Sequence, residues 1–151
     1  MVWRDANVPG PQLRWFQQDL ATRGIGILPM PHGLEAHATI RGRRTLDPAA
    51  APPTIVFIHQ LLDGTGDYYV NNAPDVRAIL EASGRVLAVF QGHHHKGGHS
   101  HINSIHYCML SAMVEGPYPV HNAFAIVEVA ADLDIHLMGY RDTPSREMAR
   151  T

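Results

Sequence analysis

Hydrophobic residues recur along this chain in short blocks, and the spacing within each block predicts its secondary structure. Leu13, Phe16 and Leu20 fall on one stripe of a helix that we predict over residues 9–23. Gly24 stands just past the last apolar position of this stripe, where a glycine commonly ends a helix. The first block is therefore an amphipathic helix with one buried face.

The next blocks predict a strand, a helix and a second strand. Continuous apolar runs over residues 54–59 and 86–91 are typical of strands buried on both faces. Between them, residues 73–83 have helical spacing, with Asn72 as the expected N-cap and Gly84 as the stop. A strand, crossover helix and strand in this order predict two adjacent parallel strands and an α/β fold.

The remaining segments are less regular. Three further strands are predicted, over residues 104–114, 122–131 and 133–140. Residues 24–53 are rich in proline and glycine and predict a long irregular loop, in which His32 and His37 are poor candidates for metal ligands. Residues 141–151 are polar and predict a frayed tail.

Composition limits the class of protein. With 151 residues and 45% hydrophobic content, the chain is long enough for a single domain with a real core, which we predict over residues 1–151. A net charge of -2 argues against nucleic acid as a partner, and no apolar run reaches the length of a membrane span. Cys108 is the only cysteine and is expected to be a small buried residue, which is compatible with a cytoplasmic protein.

Histidines supply the candidate chemistry. Six of the 11 histidines lie between His93 and His106. His93 and His95 follow the second strand, and on an extended backbone they would point the same way while His94 points elsewhere. His59 ends the first strand, so the parallel pair would bring all three together. Alternatively, His59 is a structural residue whose hydrogen bonds are satisfied. His93 and His95 would then be exposed surface residues.

Several blocks resemble the C-terminal part of calcineurin-like metallophosphoesterases, and most closely their bacterial ADP-ribose and CDP-alcohol diphosphatase relatives. The blocks that carry the resemblance are Gln12–Phe16, Thr54–Gln60, Val89–Gly98, Ile105–Tyr107 and Ala112–Gly116. The resemblance implies the latter half of a four-layer α/β/β/α sandwich. It implies metal ligands at His59, His93 and His95, and substrate contacts at Lys96 and Gly97.

The resemblance also implies the reaction. A complete family member holds two divalent transition metal ions (Mn, Fe or Zn) and hydrolyses small-molecule phosphoesters or nucleoside diphosphates. His99, His101 and His106 are weaker ligand candidates, and no catalytic residue is identified. Asp63 and Asp67 follow His59 closely but are expected to be solvated loop residues.

The sequence departs from the family upstream of His59. The Asp-x-His, Gly-Asp-x-x-Asp and Gly-Asn-His motifs of complete members are absent there, so an N-terminal half could be missing. Asp134 and His136 form an Asp-x-His pattern, but on the predicted solvent side of a late strand. The chain could instead be a noncatalytic metal- or nucleotide-binding remnant. A cupin-like metalloenzyme is disfavoured, because that fold would not contain the two predicted helices.

Overall fold

The structure is a computed structural model that describes residues 6–22 and 52–150. Its helices and strands are, in chain order, α1 (Gly10–Thr22), β1 (Thr54–Ile58), α2 (Ala73–Ser83), β2 (Val86–Gln91), β3 (Lys96–Ile102), β4 (Ile105–Ser111), β5 (Phe124–Val129), β6 (Ile135–Tyr140) and β7 (Arg146–Met148). Within these two ranges no helix is both long enough and apolar enough to cross a membrane.

The first sheet has the strand order β1-β2-β4-β3. β1 pairs with β2 in parallel, with Phe57 beside Phe90, and β2 pairs with β4 in parallel as well. β3 runs antiparallel to β4 at the edge of the sheet. The predicted unit of strand, helix and parallel strand is therefore confirmed, and a cupin-like fold is not what these residues form.

Both helices pack on one face of this sheet. Their buried side chains (Phe16 and Leu20 from α1, Val76 and Leu80 from α2) share one core with Val56, Val89 and Tyr107 of the strands. Trp15 lies outside this core and is 45% exposed. Burial of this apolar area is the main force that holds the helices to the sheet.

The second sheet, of order β5-β6-β7, packs on the opposite face of the first. Ala88, Phe90 and Cys108 of the first sheet share a second core with Ile135, Leu137 and Met148. Cys108 is buried as expected, and burial raises the pKa of its thiol. The α/β fold class is confirmed: the described residues form a helix layer and two facing sheets, as in the predicted sandwich.

Two strands contradict the sequence prediction. The histidine- and glycine-rich residues 96–102 form β3, although they lack the apolar alternation of a typical strand. β3 forms because β4 offers it a complete antiparallel partner, from Lys96 beside Ser111 to Ile102 beside Ile105. The prediction of a frayed tail over residues 141–151 is wrong at β7, which pairs with β6 and buries Met148. Residues 24–51, with His32 and His37, lie outside the described residues.

Asn72 precedes α2 as predicted, but its side chain makes no capping hydrogen bond. It binds the backbone of Val8 instead: Nδ2 donates to the carbonyl oxygen at 3.0 Å, and Oδ1 accepts from the amide at 2.9 Å. The amide of Asn71 also donates to the carbonyl of Ala6 at 2.8 Å. These three bonds form a clamp, which we call the 8/72 clamp, between the segment before α1 and the start of α2.

Candidate functional site

His59 and His93 meet where β1 and β2 end. The parallel strands place their carboxyl ends at the same sheet edge, and the amide of Gly92 donates to the carbonyl of His59 at 3.0 Å. His59 Nε2 lies 3.0 Å from His93 Nδ1, with the two rings nearly perpendicular. The structure therefore brings together two of the three predicted metal ligands.

The surroundings of His93 favour its neutral form. Burial lowers its pKa first, and the neighbouring imidazoles of His59, His95 and His94 lower the pKa further, because a proton on His93 would add a positive charge beside theirs. A metal ligand must be unprotonated. His93 is thus kept in the protonation state that can bind a cation.

Tyr68 forms a wall beside this pair. Its ring centroid lies 5.5 Å from that of His93 and 4.8 Å from that of His94. The loop that carries Tyr68 is tight, since the amide of Leu61 donates to the Tyr68 carbonyl and a Cβ at Gly64 would lie 2.7 Å from the Tyr69 ring. His94 packs on the ring of Tyr68.

His95 does not follow the predicted geometry. His93 has a φ of 65°, so the backbone is a turn here and the two-residue alternation of an extended strand does not apply. His95 Nδ1 makes a short contact with Glu115 Oε1. In the part of the chain that the structure describes, no three His, Cys, Asp or Glu side chains form a metal-binding group. Ligation by His95 stays a prediction.

A pocket of about 570 Å³ opens beside the histidine pair. It is lined by Tyr68, His93, His94, His95, Lys96, Ser111, Ala112, Glu115 and Asp142. Lys96 thus lies in the wall of the pocket. Gly97 has a φ of 71°, and a Cβ there would lie 2.6 Å from Ser111 Oγ, so local geometry already requires glycine at this position. Substrate contacts by Lys96 and Gly97 stay predictions.

The pocket residues that sequence reasoning missed include Tyr68, Glu115 and Asp142. Glu115 stands in a block that carries the family resemblance, but no spacing rule relates it to His95, which is 20 positions away. Asp142 is held by His121, whose Nδ1 lies 2.9 Å from its Oδ2. Contacts between distant segments of this kind have no local signature in the sequence.

The weaker candidates His99, His101 and His106 form a separate cluster on β3 and β4. His106 Nε2 donates to the carbonyl of Ala149 at 2.9 Å, and His106 Nδ1 lies 3.2 Å from His99 Nε2. The ring of His101 stacks on that of His106 at 4.2 Å. The cluster links the first sheet to the chain just after β7, which is a structural role.

The loop and late-strand carboxylates also have structural partners. Asp63 accepts from Gln91 Nε2 at 2.7 Å and from Ser100 Oγ at 2.6 Å. Asp134 accepts from the amide of Arg150 at 2.8 Å. His136 contacts Glu147 on β7. The Asp-x-His pattern at 134–136 therefore belongs to the second sheet and is not part of the pocket.

Comparisons with known proteins bear on the fold. No protein-family model and no curated protein sequence matches the chain. Among solved structures, the chain is similar to a dimetal phosphatase from Danio rerio, with a TM-score of 0.60 and 20% sequence identity. The two share a fold. The match covers 66% of this chain and 32% of the phosphatase, so the chain spans about a third of that protein's length.

Proposed function

We propose that this chain carries part of the metal centre of a metal-dependent phosphoesterase. The observation that carries the proposal is the convergence of His59 Nε2 and His93 Nδ1, 3.0 Å apart at the carboxyl end of parallel strands. The similarity in fold to a dimetal phosphatase supports it. So do the residue blocks that resemble the metallophosphoesterases, diphosphatases among them.

The separation of the two donor atoms is compatible with one ion. Two imidazole nitrogens at about 2.0–2.1 Å from a zinc ion lie roughly 3.0–3.4 Å apart when they are neighbouring ligands, and the separation here is 3.0 Å. His95 lines the same pocket and is the third ligand of the proposal. Within residues 6–22 and 52–150 no third histidine, cysteine, aspartate or glutamate side chain, His95 included, forms a metal-binding group with this pair.

Each side chain has a distinct part in the proposed chemistry. His59, His93 and His95 hold the cation, and imidazole suits the transition metals Mn, Fe and Zn. Bound divalent ions polarise a phosphoryl group and lower the pKa of a bound water. Lys96 lines the pocket beside them, where its ammonium group attracts an anionic phosphoester. Tyr68 forms an aromatic wall against which the rest of a small substrate packs.

A centre of this kind needs more ligands than the described residues bring together. Two divalent ions a few ångströms apart repel each other strongly unless carboxylates lie between them. We propose that the carboxylates come from a further polypeptide segment, as the predicted N-terminal half would supply. Alone, the chain then binds one ion and hydrolyses phosphoesters poorly, which is also the behaviour of the noncatalytic metal-binding alternative.

Titration calorimetry with Mn²⁺ or Zn²⁺ tests the proposal. We expect one binding event, weakened at least tenfold in a His93→Ala, His95→Ala double variant. His136→Ala is the matched control, because it removes an imidazole from the second sheet and should leave binding unchanged. Equal metal affinity in the double variant would show that His93 and His95 do not bind the ion. Rapid hydrolysis of a generic phosphodiester by the isolated chain would contradict the proposal that its metal centre is incomplete.

A further inference from the structure

Glu115 holds the imidazole of His95 through a contact between Oε1 and Nδ1. The backbone brings the two segments together independently of this contact. The amide of Ala112 donates to the carbonyl of His95 at 3.1 Å, and Lys96 pairs with Ser111 at the start of β3. Glu115 is therefore carried to His95 by the end of β4, and its side chain faces the pocket of the histidine pair.

Stability does not account for this pair. The side chain of His95 is 48% exposed and that of Glu115 is 61% exposed. An ion pair in such contact with water contributes about 0–1 kcal/mol to folding. The contact instead restricts the ring of His95, since a carboxylate can only accept a hydrogen bond and Nδ1 must therefore donate. The neutral ring then has its lone pair on Nε2.

We propose that Glu115 is a positioning residue that presents Nε2 of His95 to the metal ion. This inference rests on the proposed function. Metal-binding histidines usually donate their second ring N–H to a carboxylate or carbonyl, which fixes both tautomer and ring orientation. His93 uses Nδ1 toward His59, so the two histidines of the loop present opposite ring nitrogens.

The tautomer of His95 can be measured before any metal is added. In nitrogen-15 NMR spectra of the metal-free chain at pH 8, we expect the wild type to carry its proton on Nδ1 and Glu115→Ala to shift toward the Nε2–H form common in free histidine. Glu115→Gln should keep much of the wild-type signal, because the amide oxygen of glutamine also accepts from Nδ1. If Glu115 only stabilised the fold, Glu115→Ala would lower the melting temperature. A changed tautomer of His95 at an unchanged melting temperature therefore indicates a positioning role.

Zn²⁺ titration measures the consequence for binding. Loss of such a carboxylate typically weakens metal affinity about 10- to 100-fold, and we expect this for Glu115→Ala, with a smaller loss for Glu115→Gln. Glu147→Ala is the control, since it breaks another exposed carboxylate–imidazole pair, with His136 on the second sheet. In a His95→Ala background, Glu115→Ala should have no further effect.

The outcomes separate this inference from the proposed function. Absence of Zn²⁺ binding by the wild type would overturn both. Normal binding by the wild type that Glu115→Ala leaves unchanged would overturn the positioning role alone. The same holds if Glu115→Ala still weakens binding when His95 is already alanine, because the carboxylate would then act on the ion without His95.

Discussion

At the scale of single residues, residues 92–97 must both supply imidazole side chains and turn the backbone sharply. Gly92 and Gly97 bracket the three consecutive histidines, and the positive φ of His93 turns the chain between them. The first ring faces His59, the second packs on Tyr68 and the third reaches Glu115. Three identical side chains thus acquire three different environments from one turn.

Gly97→Ala should destabilise the chain. The left-handed backbone costs a residue with a Cβ about 1–2 kcal/mol, and the new methyl group would also press on Ser111 Oγ. Urea unfolding measures the loss. In a Ser111→Ala background the steric part should disappear and the backbone part remain; an unchanged cost there would show that Ser111 is not the obstacle.

The stability of the metal-free chain should fall below about pH 6.5, and His99 should contribute to the fall. Burial lowers its pKa first, Arg146, His106 and His101 lower it further, and Asp63 opposes them. The unfolded chain therefore binds a proton on His99 more readily than the folded chain, so this contribution is complete above the unfolded value of about 6.5 and is lost as the pH falls through it.

Urea unfolding at pH 7.5 and 5.5 tests this, with the metal removed by chelation. The difference in unfolding free energy between the two pH values should be smaller in His99→Gln than in the wild type. An equal difference in both would assign the acid sensitivity to other groups, His93 among them.

At the scale of elements, β7 shows how a short strand can hold a sheet. It has three residues, yet Met148 is 2% exposed and completes the second core beside Ile135 and Leu137. The His106 bond to Ala149 fastens the chain immediately after it. β7 therefore connects the two sheets, although its sequence is polar around a single methionine.

Met148→Ala should cost about 2–5 kcal/mol, the usual range for truncating a buried methionine. Met113→Ala is the control, since that side chain is 57% exposed and should change stability by about 0.5 kcal/mol at most. Thermal unfolding of both variants gives the comparison. A small effect at Met148 would mean that the end of the chain is less firmly attached than its burial indicates.

At the scale of the whole molecule, the sequence predicted what depends on local pattern. Strands β1 and β2 with α2 between them follow from apolar runs and a helical stripe, and they suffice to place His59 beside His93. β3 could not be predicted in this way, because Gly97, Gly98 and His99 have low strand preference and their pairing comes from β4. The contact of His95 with Glu115 depends in turn on that pairing.

The 8/72 clamp attaches the segment before α1 to the start of α2 by hydrogen bonds. It joins residues 64 positions apart, and Phe16 and Leu20 add apolar contact between α1 and the rest of the first core. The peptide link between residues 22 and 52 is then not the only attachment of α1. A chain cleaved at an engineered protease site between those residues should elute as one species in gel filtration and separate into two in urea. Release of the α1 fragment in native buffer would contradict this, whereas its retention would make the protein suitable for assembly from two separately made fragments.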